Sequence, residues 1–373
     1  MTSSYEVVWK GPVNRSSGLG IASREYVRAL RAQGVKVTVG ADRGRSRQGD
    51  NKRQVLIYHH TPGALNVKKE RQRFGKIMIN TVWETTRIPK RWIRPINQAD
   101  AVFVPSLHNK QAMRKSGVKV PVFIVPHGVH SQFFVPAKKR MPSKHTKNKF
   151  TFISVFGFQH RKNPEALLRA YWEEFSSADN VRLVIKTNGY ARYENQRWIQ
   201  SRIQAYKKRL HIQKSTAPIE LIARKLNNKS LRSIYAQGHV FVLPTRGEGV
   251  GLPFLESMAS GVPVITTGWG GHMDFVTEKN SFLVQYKLQP PAVSMNRNSS
   301  ISRQFRSLFS EQGQLWAEPD IGSLRRQMRR AYENPNLCLT KGQHARHDVL
   351  RLSWSRSGST LKKAIDKVIR IKK

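Results

Sequence analysis

The sequence predicts an α/β protein made of two doubly wound, Rossmann-like domains. Three observations carry this expectation. The chain has 373 residues, more than one ordinary hydrophobic core organises. Short apolar runs alternate with helical stretches, as in parallel sheets whose strands are buried on both faces. That alternation stops in a polar stretch before the middle of the chain and then begins again.

Tyr5-Glu6-Val7-Val8-Trp9 reads as the first strand, and Gly11 to Gly20 as a loop. A helix is expected over Ile21–Gln33, with Ala22, Tyr26, Ala29 and Leu30 on one side and Gly34 as its stop. Val35–Val39 completes a β-loop-α-β unit. Further strands are expected at Gln54–Tyr58, Ile77–Val82, Ala101–Val104 and Val122–Val125. Ala137 to Asn148 is polar, basic and aperiodic, and reads as a linker. The first domain is therefore placed at 1–136 and the linker at 137–149.

The pattern restarts with a strand at Phe150–Val155, a helix over Pro164–Phe175 and a strand at Val181–Lys186. A helix within Leu226–Gln237 and strands at His239–Leu243 and Val262–Thr266 follow. Gln285 to Pro319 is rich in Ser, Asn, Gln and Arg, and reads as a long loop with a short helix at Ile301–Phe309. Helices at Ile321–Glu333 and Ser357–Ile371 close the chain. The second domain is placed at 150–345 and a terminal helical segment at 346–373.

Lys and Arg number 66 against 23 Asp and Glu, a formal net charge of +43. No acidic residue stands between Asp100 and Glu165. Such a field attracts polyanions, whether nucleic acid, acidic lipid or an anionic glycan, although a solvated basic surface has the same composition. The single cysteine, Cys338, excludes an intramolecular disulfide or a cysteine metal cluster. No Asp/His grouping has metal-ligand spacing. The N-terminus lacks a signal-peptide pattern, and no apolar run approaches about 18 residues. A cytoplasmic chain is the expectation, with contact at the inner face of a membrane left open.

The chemistry concentrates in Pro244-Thr-Arg-Gly-Glu248-Gly-Val-Gly-Leu-Pro253-Phe-Leu-Glu256-Ser-Met-Ala-Ser-Gly261-Val-Pro263. A strand ends at Leu243. Pro253 suits the first position of a helix, and Gly261 with Pro263 ends it. The helix N-terminus offers unpaired N–H groups and a partial positive charge. Gly247, Gly249 and Gly251 leave room for a diphosphate to lie on the backbone. Glu248 and Glu256, the latter expected in the first helical turn, would repel phosphate but accept hydrogen bonds from sugar and ribose hydroxyls. The block therefore favours a nucleotide sugar over a bare nucleotide.

This block resembles the E-x7-E signature of family-4 retaining glycosyltransferases, which have the GT-B fold of two Rossmann-like domains facing a central cleft. The similarity extends to Phe156–Pro164, Val125–Val129, Gly268–Val276 and Trp316–Asp320, in the same order along the chain. It implies a retaining, metal-independent enzyme without a cofactor. Such an enzyme moves a hexose from a nucleotide-diphosphate sugar to a hydroxyl of a glycan or glycoconjugate, as in polysaccharide biosynthesis. Carried over, Glu248 contacts the hexose, Glu256 the ribose, and Gly249, Val250, Gly251 and Leu252 the diphosphate.

Lys162 then meets the diphosphate, with Arg161 beside it. Many members have an arginine nearer the glycine, where this chain has Phe158. Gly18 and Gly20 lie in the loop that reaches toward the donor. Glu84, in Trp83-Glu84-Thr85-Thr86-Arg87, is a second catalytic candidate. Arg87 and His127 are acceptor-side candidates. The terminal helix is expected to pack back on the first domain, although its basic face would also suit an anionic membrane. Two rival readings come from other classes. One is a nucleic-acid-directed glucosyltransferase or polyanion binder, supported by charge. The other is a glycosyltransferase-like structural protein without activity.

Overall fold

The computed structural model describes residues 5–40, 54–137, 149–297, 300–302 and 305–371. The chain divides into two compact units, Met1–Gly128 with Arg351–Lys373, and Val129–Leu350. Of the linker placed at 137–149, residues 138–148 lie outside the described residues.

The first unit runs β1 (Glu6–Lys10), α1 (Gly18–Ala32), β2 (Lys36–Val39), β3 (Gln54–His59), α2 (Val67–Arg71), β4 (Lys76–Asn80), α3 (Lys90–Gln98), β5 (Ala101–Val104), α4 (Leu107–Lys115) and β6 (Val122–Ile124). Its six strands are ordered β2-β1-β3-β4-β5-β6, and every pairing is parallel. The central strands are apolar on both faces because helices cover both. Val7, Leu56, Ile57, Met78, Ile79, Val102 and Phe103 are all fully buried.

Helix α1 begins earlier than the pattern suggested. Ser17 Oγ accepts from Gly20 N at 3.3 Å and caps it. Gly18 and Gly20 therefore sit in the first helical turn and not in the loop. A Cβ on Gly20 would lie 2.1 Å from the Arg15 carbonyl oxygen, so the tight entry to this helix requires glycine. The terminal helix, Trp354–Arg370, also begins early, capped by Ser353. It buries Leu361, Ala364, Ile365 and Val368 and packs along α1.

The second unit runs β7 (Phe150–Val155), α5 (Pro164–Glu174), β8 (Val181–Lys186), α6 (Gln196–Arg209), β9 (Ile219–Ile222), α7 (Asn228–Gln237), β10 (Val240–Leu243), α8 (Leu252–Ala259), β11 (Val264–Thr267), β12 (Ser281–Val284), β13 (Tyr286–Gln289), α9 (Pro291–Met295), β14 (Trp316–Pro319), α10 (Ile321–Glu333) and α11 (Pro335–Leu350). The parallel sheet is ordered β12-β11-β10-β7-β8-β9. Strand order reverses between β7 and β10. In open α/β sheets the crevice at such a reversal, beyond the carboxyl ends of the strands, is where ligands bind.

The stretch Gln285–Pro319 is more structured than a loop. β13 and β14 pair antiparallel across it. Of the helix expected at Ile301–Phe309, residues 303 and 304 lie outside the described residues, and the described part forms a 3₁₀ turn at Arg306–Leu308. Phe305 stands at φ +63°, a left-handed conformation that interrupts a right-handed helix.

Close helix packing is set by glycine at two places. A Cβ on Gly358 would fall 2.5 Å from Ala29 Cβ, and one on Gly342 would fall 2.2 Å from the Gly261 carbonyl oxygen. Gly358→Leu should therefore destabilise the first unit by about 1–3 kcal/mol through overpacking. Thermal denaturation reads this as a melting point lower by several degrees, and an unchanged melting point would contradict the packing of the terminal helix on α1.

Candidate functional site

The candidate site grows from the two strands at the reversal. After β7 the chain makes a 3₁₀ turn, His160–Lys162. Asn163 then adopts φ +57°, and its side chain accepts from Ala166 N at 3.1 Å to start α5. After β10 the chain loops through Pro244–Gly251. Gly251 stands at φ +82°, where a side chain is strained, and α8 starts at the next residue.

Because β7 and β10 are neighbours, the two connections are stitched together. Arg246 N donates to Arg161 O at 2.8 Å, and Thr245 Oγ1 donates to the same oxygen at 3.1 Å. This brings two cations onto one carboxylate. Lys162 Nζ lies 2.5 Å from Glu248 Oε1, and Arg161 Nη1 lies 3.3 Å from Glu248 Oε2. Arg161 also donates to the Gly247 carbonyl. Phe158 is buried, and the guanidinium beside Glu248 is that of Arg161.

Glu248 is 3% exposed. Burial alone would raise its pKa, but Lys162 and then Arg161 outweigh burial and hold it at about 2. It is ionised at any physiological pH. Its backbone is fixed too, with Gly271 N donating to Glu248 O at 2.7 Å. Gly270 stands at φ +124°, and a Cβ there would be 3.3 Å from both the N and the O of Glu248. Beneath lies His272, stacked on Phe254 at 4.7 Å between ring centres. His272 Nε2 is 2.9 Å from Thr267 O, which fixes the proton on that nitrogen. Burial lowers its pKa, so the ring is neutral, and its Nδ1 is buried without a hydrogen-bond partner.

Glu256 lies in the second turn of α8 and not the first, because the helix starts at Leu252 with Pro253 second. Tyr235 donates its hydroxyl to Glu256 Oε2 at 2.7 Å. The residue is only half-buried by surface area, yet the dense packing around its carboxyl pushes the pKa up to about 7, against the opposing pull of Tyr235 and His130. Between the two glutamates, the N–H groups of Val250, Gly251 and Leu252 donate to no protein acceptor among the described residues. The start of α8 has no side-chain cap. The site thus offers free amides, a positive helix end and two cations beside two carboxylates of different charge state.

The remaining candidates belong to the first unit. Glu84 and Arg87 lie in the connection from β4 to α3. Trp83 is buried there and organises the turn, its Nε1 donating to Arg87 O at 2.6 Å and Thr85 Oγ1 at 2.7 Å. Arg87 is exposed and Glu84 half-buried. His127 is buried against Tyr26 and Trp354, each with ring centres 5.7 Å from its own. Burial pushes its pKa down to about 4, so it is a neutral ring in a core. Gly18 and Gly20 hold the start of α1.

Sequence reading missed four contributors. Tyr235 lies near the end of α7 with nothing local to mark it, and His272 follows two glycines, of which Gly270 takes a conformation the sequence does not display. Arg246 and Glu318, 72 residues apart, form a bidentate pair at 2.7 and 3.0 Å. No local pattern announces such a pair.

Residues 147–294 match the family model described as Glycosyl transferases group 1. The matched segment lies within the second unit. This segment contains both glutamates and both cations of the site. Over 181 residues, 46% of the chain, the sequence is 27% identical to the alpha-monoglucosyldiacylglycerol synthase of Streptococcus pneumoniae. The chain covers only 38% of that relative's length.

Among solved structures, sucrose-phosphate synthase from Thermosynechococcus elongatus superimposes with a TM-score of 0.71 at 16% identity, covering 98% of this chain and 99% of that one. HepE of Anabaena, solved with UDP and glucose, gives 0.69 at 10% identity, covering 97% and 100%. These likenesses establish the fold as GT-B, with two Rossmann-like parallel sheets. Among the described residues no helix is long and apolar enough to cross a membrane, and no three acidic, His or Cys side chains gather as a metal site.

The raised pKa of Glu256 has a sign that can be tested. The folded state favours the protonated acid, so stability from this group is full below about pH 4.5, falls as pH rises, and is lost above about 7. Glu256→Gln should therefore raise the melting temperature at pH 8 and leave it nearly unchanged at pH 4.5. Thermal melts at the two pH values check this, and equal shifts at both would contradict the buried acid.

Proposed function

We propose that the chain is a retaining, metal-independent glycosyltransferase that moves a hexose from a nucleotide-diphosphate sugar to a hydroxyl of a glycan or glycoconjugate. The observation that carries this reading is the pairing of Glu248 with Lys162 and Arg161 beside the unoccupied amides that open α8. A carboxylate clamped by cations next to unoccupied helix-start amides suits a ligand that is anionic at one end and hydroxylated at the other. The match to group 1 glycosyltransferases and the UDP and glucose of HepE support the same ligand class.

Donor binding then works as an exchange. The diphosphate takes Lys162, Arg161 and the amides of Gly249 to Leu252, and Glu248 is freed to accept hydrogen bonds from the hexose. The same cations stabilise charge as it builds on the leaving diphosphate. Glu256 accepts the ribose hydroxyls, and with its pKa near 7 it gives up a proton on doing so. The attacking hydroxyl approaches on the face the leaving group departs from, and the departing phosphate takes its proton. Glu84 orients the acceptor or the sugar, Arg87 holds an acidic group of the acceptor, Gly18 and Gly20 line the donor side of the first unit, and His127 supports that wall from inside. The net charge of +43 favours an anionic acceptor or an anionic membrane surface at which it is presented.

A thermal-shift screen of uridine, guanosine and adenosine diphosphate sugars, with mass analysis for hydrolysis, tests the reading. One of them should stabilise the protein and be hydrolysed slowly, and no response from any would overturn it. Random duplex DNA added to the same assay should leave transfer unchanged. Transfer to the DNA itself would favour a nucleic-acid-directed enzyme instead.

Two variants separate the roles of the glutamates. Glu248→Ala should keep or tighten nucleoside diphosphate binding, because both cations are released, while transfer falls by about a hundredfold or more. Glu256→Ala should weaken nucleoside diphosphate binding itself by about tenfold. Calorimetry and single-turnover transfer measure both, and wild-type turnover in Glu248→Ala would overturn the assignment.

A further inference from the structure

The turn after β7 and the loop after β10 are held in register by one side chain. Arg246 is 3% exposed. Its Nη1 donates to His160 O at 2.6 Å, and its Nε and Nη2 reach the two oxygens of Glu318 at 2.7 and 3.0 Å. Glu165 Oε2 stands 3.6 Å away, and the guanidinium lies over the ring of Trp316. The backbone of the same residue donates to Arg161 O at 2.8 Å and accepts from Ala317 N at 2.9 Å. Arg246 therefore grips the carbonyls of residues 160 and 161 on one side and strand β14 on the other. A step further along each connection stand Lys162 and Glu248.

The rest of the excursion between β13 and β14 is fastened to the same turn. Ile301 N donates to Glu165 Oε1 at 2.9 Å, and Ser302 Oγ donates to Phe158 O at 2.9 Å. The hydroxyls of Ser294 and Ser300 lie 3.1 and 3.0 Å from the two ring nitrogens of His160. Gln289 on β13 donates to Glu318 Oε2 at 3.0 Å. None of these groups belongs to the cluster that faces a donor. All of them bear on the backbone that carries it.

We propose that Arg246 and Glu318 are positioning residues, and that the β13–β14 ribbon is a buttress setting where Lys162 and Arg161 meet a bound diphosphate. The inference rests on the donor-site reading above. A guanidinium is suited to the task because its planar fork fixes two partners at once, whereas an ammonium would leave the geometry free. The ribbon acts on the β-phosphate, which the cations hold. It has no bearing on the nucleoside, which Glu256 holds.

The test compares a nucleoside monophosphate with the corresponding diphosphate by calorimetry, using whichever base the wild-type protein binds. Glu318→Gln keeps the size of the side chain and removes the charge that orients Arg246. Monophosphate affinity should stay within about twofold, while diphosphate affinity should fall by about tenfold. In a Lys162→Met background the same substitution should add less than it does alone, because one of the two cations it positions is gone. Gln289→Leu, a milder disturbance of Glu318, should give a smaller loss with the same selectivity, and it carries the test if Glu318→Gln does not fold. Equal weakening of both nucleotides, or losses that add in the double variant, would overturn the buttress. A wild-type protein that binds no nucleoside diphosphate would instead overturn the donor-site reading, so the two failures are distinguishable.

Discussion

The second unit is arranged around one buried carboxylate held by two cations. Glu248 could not remain ionised at 3% exposure without Lys162 and Arg161, because an unpaired buried charge is costly. Arg161 is held in addition by the Gly247 carbonyl. The pairing obliges the turn after β7 and the loop after β10 to stay in contact. The sheet order makes the contact possible by placing those strands side by side at the point where the winding reverses. A buried pair of this kind is weak as a stabiliser; what it does is hold two cations and an anion in fixed positions.

The neighbouring glutamate follows the opposite logic. Glu256 has a tyrosine hydroxyl and the weaker pull of His130 for company, so burial wins and its pKa is raised to about 7. Two carboxylates eight residues apart in a motif thus have different charge states because their surroundings differ. The buried histidines add a third case. His127 and His272 lose their charge to burial and serve as flat packing groups, His127 against Tyr26 and Trp354, His272 against Phe254.

Much of the fold was legible because buried parallel strands are short apolar runs, and runs such as Ala101–Val104, Phe150–Val155 and Val181–Lys186 coincide with strands residue for residue. Elements without that signature were missed. α6 and α11 carry polar and basic residues on much of their surface, and β13 is almost wholly exposed, so neither periodicity nor apolarity marks them. Helix starts were placed late wherever a serine cap preceded the first apolar residue, as at Ser17 and Ser353. Within the helix expected at Ile301–Phe309, the described Phe305 takes a left-handed backbone that a right-handed helix does not accommodate.

By itself the sequence determined the α/β class and the place of a glycine-rich loop at a strand end, and it singled out Glu248, Glu256, Arg161 and Lys162 as candidates. These are local facts: a glycine-rich turn, a helix-start proline and charged side chains at fixed spacing. Only the tertiary structure decided which of those charges meet. The contacts between residues 161, 162 and 248, between 235 and 256, and between 246 and 318 join segments far apart in the chain. They exist because parallel strands bring their carboxyl ends together, and burial at that edge then fixes which groups stay charged.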